Sequence, residues 1–112
     1  MTRHDPDLTL RQMLSYAREA QTLSQGKHRA DLDQDRLLEL ALIRLLEVIG
    51  EAANRVPPDS QKLYPTIPWA QIVSLRNRLI HGYDAVDLDI LWQIIRHDLP
   101  PLIAALDNIV GS

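Results

Sequence analysis

Leu37-Leu38-Glu39-Leu40-Ala41-Leu42-Ile43-Arg44-Leu45-Leu46-Glu47-Val48-Ile49 is the stretch that decides the fold. Ten of these thirteen residues are apolar, too many for a helix that merely lies on a surface. Its polar residues are ordered: Arg44, Glu47, Glu51 and Arg55 follow one another at three, four and four, a single stripe on an otherwise buried helix. From Asp31 to Arg55 only Gly50 interrupts the helical composition. The run carries Glu39, Arg44 and Glu47 and is shorter than the roughly 20 apolar residues of a membrane span. It therefore predicts the central helix of a water-soluble bundle.

Upstream, Asp5-Pro6-Asp7 opens a helix, because Asp caps orphan backbone donors and Pro suits the first turn. Leu10, Met13, Leu14 and Ala17 give it one apolar face, and Gly26 stops it before a polar connection to Ala30. Asp31, Asp33 and Asp35 complement the positive N-terminus of the second helix. Downstream, Pro57, Pro58, Pro65 and Pro68 leave no room for a regular element between Val56 and Pro68. A third helix starts near Trp69, with Ile72, Val73, Leu75, Leu79 and Ile80 apolar, and Gly82 ends or loosens it. A fourth starts at Asp87 or Asp89, and Pro100-Pro101 must kink or break it, giving a fifth short helix in line. There are no strand patterns, repeats or composition breaks, so residues 1–112 read as one domain. The expected class is all-α: a small up-and-down bundle of four to five helices. Its apolar rows exceed what one small chain covers, so a helix-mediated homodimer is expected.

Composition narrows the functions. Among 112 residues, 12 Lys+Arg oppose 15 Asp+Glu, a formal net charge of -3. Phosphate affinity comes largely from counterions released by basic side chains, so a broad nucleic-acid-coating role is excluded and any such role rests on a local site. The absence of Cys excludes disulfide scaffolds and thiol chemistry. The segment from Met1 to Asp7 has no apolar run of the secretory kind, which predicts a cytoplasmic protein with no membrane contact. With no Phe, two Trp and three Tyr, the core must be built from Leu, Ile, Val and Ala.

The densest polar chemistry lies in Leu75-Arg76-Asn77-Arg78-Leu79-Ile80-His81-Gly82-Tyr83-Asp84. On a helix that survived Gly82, Arg76, Asn77, His81 and Tyr83 would share one flank. Arg grips a phosphate bidentately and stabilises its transition-state charge. His, with an unperturbed pKa of about 6.5, moves protons at neutral pH. Together they suit metal-free cleavage of a phosphodiester, with the RNA 2′-hydroxyl as nucleophile. The same spacing also fits solvated charges on a helix whose C-terminal dipole His81 complements.

The segment Arg76-Asn77-Arg78-Leu79-Ile80-His81-Gly82-Tyr83 resembles the signature of the HepT-like toxins, a branch of the HEPN superfamily of small helical ribonucleases: Arg-Asn, three residues, His, any residue, Tyr. Ile49-Gly50-Glu51-Ala52-Ala53 resembles the Gly-Glu-Ala segment of that family's long second helix. Ile67-Pro68-Trp69 resembles its Pro-Trp entry, and Asp98-Leu99-Pro100 its closing segment. The likeness is specific from Leu37 to Leu102. It implies a HEPN-like fold and the toxin of a type II toxin–antitoxin pair. Such a toxin is a metal-independent endoribonuclease with its cleft between the motifs of a homodimer. Arg76 and His81 would be the catalytic pair. Asn77 would contact RNA or bond backbone carbonyls. Tyr83 would be the residue that a cognate minimal nucleotidyltransferase antitoxin modifies with AMP. Glu51 supports the cleft by pairing with Arg76 or Arg55, or simply belongs to the exposed stripe. Arg78 reads as a solvated or RNA-facing charge.

His4 and His28 fall in loops, and His97 just precedes the proline pair. No His-x3-His, liganding carboxylate pair or Gly-rich phosphate loop occurs, so neither metal nor cofactor is expected. Asp84, Asp87 and Asp89 are read as helix caps. A second reading, from a different class, is a non-catalytic helical module that binds a nucleotide or docks on a nucleotidyltransferase. A third is a purely structural dimeric bundle. RNA cleavage separates the first from both.

Overall fold

Aspartate caps stand where three of the helices begin. In a computed structural model, which describes residues 5–81 and 85–111 with His81 by its backbone alone, Asp5 accepts hydrogen bonds from the N–H groups of Asp7 and Leu8 at 3.1 and 3.4 Å. Helix α1 then runs Pro6–Ser24 and buries Leu10, Met13, Leu14 and Ala17, the face read from the sequence. Gly26, at φ +74°, turns the chain out of it. A single turn, α2 (Asp31–Gln34), precedes Asp35, which accepts from the Leu38 N–H at 3.0 Å and caps α3 (Arg36–Arg55). The Arg29 guanidinium ties this corner together. Its bonds to Asp89 first, and to Asp33, hold it above its ordinary pKa.

Helix α3 is the axis of the domain, with α1 against one side and the segment after Pro68 against another; α1 also packs on the last helix. Leu38, Leu42, Leu46, Ile49, Ala52 and Ala53 are buried. Leu37 and Leu40, however, lie 80% and 45% exposed, so α3 is less enclosed than its composition predicts. The core is aliphatic, as expected: Leu10, Leu42, Leu46, Ile49, Leu99 and Leu106 are all sealed from solvent, whereas Tyr16, Tyr64, Trp69 and Trp92 are only partly buried around them.

Four details differ from the sequence reading. Between Val56 and Pro68 there is one helical turn, α4 (Pro58–Gln61), because Pro58 sits in its first turn, where no N–H is needed. The indole N–H of Trp69 then reaches back to the carbonyls of Gln61 and Tyr64, both at 3.1 Å. The expected third helix is split at Ser74 into α5 (Trp69–Val73) and α6 (Leu75–Leu79). Ser74 donates its hydroxyl to the Gln71 carbonyl at 3.1 Å and sits at φ -90°, ψ 7°, outside the helical basin. Third, the helix does not reach His81. Ile80–His81 form a two-residue strand, β1, paired antiparallel with β2 (Ala85–Val86), Ile80 opposite Val86. β-Branched Ile80 and Val86 favour extended backbone and both pack on the core. The Asp87 N–H closes the pair on the Leu79 carbonyl at 2.8 Å.

The fourth detail concerns the prolines. Asp87 caps α7 (Leu88–Gln93), as expected, but the chain does not break at Pro100. It widens into a π turn over Ile94–Asp98, in which the Leu99 N–H reaches five residues back to Ile94, and continues as α8 (Leu99–Val110). A proline ring collides with the carbonyl four residues earlier, and the wider turn relieves that collision. The all-α class holds. Among the described residues no helix is long and apolar enough to cross a membrane.

Candidate active site

The chemistry gathers where α3 passes α5 and α6. Gly50 permits the approach: a Cβ built there would lie 3.0 Å from the Ile72 carbonyl oxygen. Helix α6 turns Leu75 and Leu79 into the core and leaves Arg76 and Asn77 exposed. Arg76 faces α3. Its Nε lies 3.9 Å from Oε2 of Glu47, with the arginine side chain 73% exposed and the glutamate 25%. One helical turn on, Glu51 is paired with Arg44 of its own helix at 3.6 Å rather than with Arg76 or Arg55. Glu47, Gly50, Glu51, Asn54, Val73 and Arg76 line a shallow hollow of about 190 Å³.

A more apolar hollow of about 250 Å³ lies on the other flank of α6, against Leu46, Leu75 and Leu99. It contains none of Arg76, Glu47 or Glu51; its polar lining includes Arg78, His97 and Asp98. Arg78 points to that side. Far from being a freely solvated charge, its Nη2 donates to Oδ2 of Asp98 at 2.8 Å.

Arg76 and Glu51 therefore share one hollow, with Asn77 exposed on the adjoining face of α6. The single helical flank expected for Arg76, Asn77, His81 and Tyr83 does not form, because α6 ends at Leu79 and His81 lies in β1. The His81 side chain and the whole of Tyr83 fall outside the described residues. Two residues of the hollow are absent from the candidates that the sequence suggests. By spacing alone, Glu47 is no more than a member of the α3 stripe. Asn54, seven residues beyond Glu47 and three beyond Glu51, is within reach of the same helical spacing. Among the described residues no three His, Asp or Glu side chains gather as a metal site.

Among the described residues the hollow carries two carboxylates, Glu47 and Glu51, and the Arg76 guanidinium, with Arg44 paired to Glu51 at its rim. Of these, Arg76 is the most open to an incoming anion. A contact of 3.9 Å at that exposure holds it weakly. The class so defined is a small helical domain presenting an arginine beside a central helix, one short step before a histidine-bearing strand.

Comparison with known proteins makes the class particular. The chain belongs to the family described as "Ribonuclease HepT-like", whose pattern matches residues 13–109. It is 43% identical over 68 residues to "Probable ribonuclease HepT" of Thermococcus cleftensis, covering 61% of this chain and 62% of that one. It is 29% identical over 110 residues to "Putative RNase MJ0125" of Methanocaldococcus jannaschii, covering 98% and 95%. A second protein of that organism, "Putative RNase MJ1380", is 40% identical over 68 residues, 61% of this chain and 62% of its own. The first and third of these matches thus span about six-tenths of the relatives' length. No solved structure matches the chain.

Proposed function

We propose that this protein is an endoribonuclease, the toxin of a type II toxin–antitoxin pair, acting in the cytoplasm as a homodimer. The observation that carries the reading is Arg76: an exposed guanidinium on a core-anchored helix, held only at 3.9 Å by Glu47. It is free to exchange that carboxylate for the scissile phosphate. In this reading the RNA 2′-hydroxyl attacks phosphorus while His81 takes its proton. The bond to the 5′-oxygen breaks and that oxygen is protonated by a second His81 from the other copy. The products are a 2′,3′-cyclic phosphate and a 5′-hydroxyl end. Arg76 balances the charge that develops on the phosphoryl oxygens. Every proton and charge in the scheme is handled by side chains, so no metal is invoked. Asn77, exposed beside Arg76, contacts the RNA, and Glu51 keeps Arg44 in place at the rim.

The two proton transfers of the scheme support the dimer. One group must act as base and another as acid, and two copies bring two Arg76 and two His81 together on a chain whose net charge of -3 gives no broad pull on phosphate. The α3 stripe offers the contact: Leu37 and Leu40 lie exposed on the row that continues through Arg44, Glu47 and Glu51. The antitoxin would be a minimal nucleotidyltransferase that attaches AMP to Tyr83, adding bulk and negative charge beside the cleft.

The test is cleavage of RNA in EDTA by the purified, antitoxin-free protein, its Arg76→Ala and its His81→Ala variants. Wild type should cut and both variants should lose activity. Full activity in both variants would overturn the assignment. A wild type that binds nucleotide without cutting would favour the non-catalytic module. Mass spectrometry after incubation with ATP and a cognate minimal nucleotidyltransferase should find AMP on Tyr83.

A further inference from the structure

We infer that Arg78 and Asp98 form a positioning pair that sets the orientation of Arg76, and that the π turn of the last helix serves to present Asp98 to it. The inference deepens the ribonuclease reading and, for its catalytic consequence, rests on it.

Helix α6 is five residues long and cannot hold itself. No side chain caps its N-terminus at Ser74, and beyond Leu79 the chain is extended. Its orientation therefore comes from outside. Leu75 and Leu79, 4% and 1% exposed, anchor it radially in the core. Two anchors on one face set which side of α6 looks inward, but only to within the width of that face. Arg78 supplies the missing constraint. It stands two positions, or about 200°, from Arg76 on a helix. Its 2.8 Å charge-assisted bond to Asp98 ties that side of α6 to the last helix. A short helix held on one side by Asp98 keeps Arg76 turned to the opposite side, toward Glu47.

The acceptor is placed by an irregularity that the sequence maintains. Asp98 is the last residue of the π turn, immediately before Leu99-Pro100-Pro101. Each π turn takes up one residue more than an α turn and so rotates the helix on its C-terminal side relative to the helix on its N-terminal side. The buried residues are Leu91, Ile94, Ile95, Leu99, Leu102, Leu106 and Val110. From Leu91 to Ile94 and from Leu99 onward they recur every three or four residues, whereas Ile94 and Leu99, the two ends of the π-turn bond, stand five apart, one more than an α turn takes. The hydrophobic spacing itself carries the insertion, and Arg78 meets its carboxylate there.

Both side chains are open to water, 36% and 40% exposed, and exposed ion pairs contribute little to stability. A merely structural pair would leave catalysis and thermal unfolding nearly unchanged when broken. A positioning pair would lower kcat while leaving KM in place.

The experiment compares wild type with Asp98→Asn, Arg78→Gln and the exchanged double variant Arg78→Asp/Asp98→Arg. It measures kcat and KM on RNA and, independently, the NMR signals of the Arg76 and Asn77 backbone amides and the Arg76 side-chain Nε–H. Either single variant should lower kcat by up to about fivefold, the scale of an exposed ion pair, with KM within about twofold. Each should also displace the Arg76 and Asn77 signals, and the exchanged pair should recover much of both. Folded single variants whose Arg76 and Asn77 signals stay in place overturn the inference, whatever happens to kcat. So does displacement with no loss of kcat in a cleaving protein. If wild type does not cleave RNA, the ribonuclease reading fails by itself, and the signals still decide whether the pair positions α6. Should one single variant fail to fold, the other carries the same comparison.

Discussion

Replacing Gly50 by alanine tests how α3 and α5 come close enough to form the hollow. The added Cβ would stand 3.0 Å from the carbonyl oxygen of Ile72, where ordinary contact begins near 3.4 Å. About 0.4 Å of separation must be found. The clashing atom is backbone, so no rotamer change relieves it. Either α5 withdraws or α3 bends. Overpacking of this kind costs about 1–3 kcal/mol. Alanine returns about 1 kcal/mol over glycine inside a helix. The net expectation is a destabilisation of roughly 0–2 kcal/mol, or up to about 8 °C in Tm for a domain of this size. Circular dichroism melting reads it directly. Because only Ser74 separates α5 from α6, a retreat of α5 also draws Arg76 away from Glu47, so kcat should fall further than stability does. Gly26→Ala is the control: it is strained by its φ of +74° but meets nothing within 4 Å. It should lower Tm without changing cleavage. A Gly50→Ala protein that melts at or above wild type and cleaves normally would refute the close-approach argument.

Glu47→Gln removes the carboxylate nearest Arg76 and should lower KM for RNA by up to about fivefold, the scale of an exposed ion pair, as steady-state kinetics would reveal; an unchanged or raised KM contradicts it. Asp35→Ala leaves the Leu38 N–H at the start of α3 without its 3.0 Å acceptor and should cost about 1 kcal/mol in urea unfolding. Leu106→Ala opens a cavity at a fully buried position of α8 and should cost about 2–5 kcal/mol with an unchanged denaturant slope.

Where a local rule acts alone, the sequence reads true. Asp5 with Pro6, Asp35 and Asp87 cap the helices they precede, and Gly26 ends the one it follows. The Arg44–Arg55 stripe lies outward because helical spacing needs no knowledge of neighbours. The features hidden from the sequence depend on tertiary distance. Glu47 rather than Glu51 meets Arg76 because of where α6 crosses α3, which no spacing within α3 encodes. Asp98 meets Arg78 from the last position of a π turn, Ile94–Asp98, which local spacing rules do not anticipate. That turn is legible in principle, in the extra residue of the buried spacing, but the prolines point to a break instead. His81 leaves its expected helix for a strand pair in which β-branched Ile80 stands opposite Val86 and the Asp87 N–H bonds the Leu79 carbonyl, a pairing of residues too far apart for helical spacing to reveal.

These features share a cause. The residues proposed to do chemistry sit on the least self-sufficient pieces of the chain, a five-residue helix and a two-residue strand. The long helices α1, α3 and α8 carry the buried aliphatic side chains. Isolated helices this short are not stable, so the precision of Arg76 must be lent to it. One part comes from Gly50, which lets α3 approach; another comes from the Leu75 and Leu79 anchors; the third comes from Asp98 through Arg78. Such a division predicts two separable kinds of variant. Substitutions in the long helices, such as Leu106→Ala, should lower Tm and leave kcat of the folded fraction intact. Substitutions at the three supports should lower kcat more than their effect on unfolding accounts for. A single line relating loss of activity to loss of stability across both sets would mean that the short elements have no adjustment of their own, and that the site is simply as rigid as the bundle.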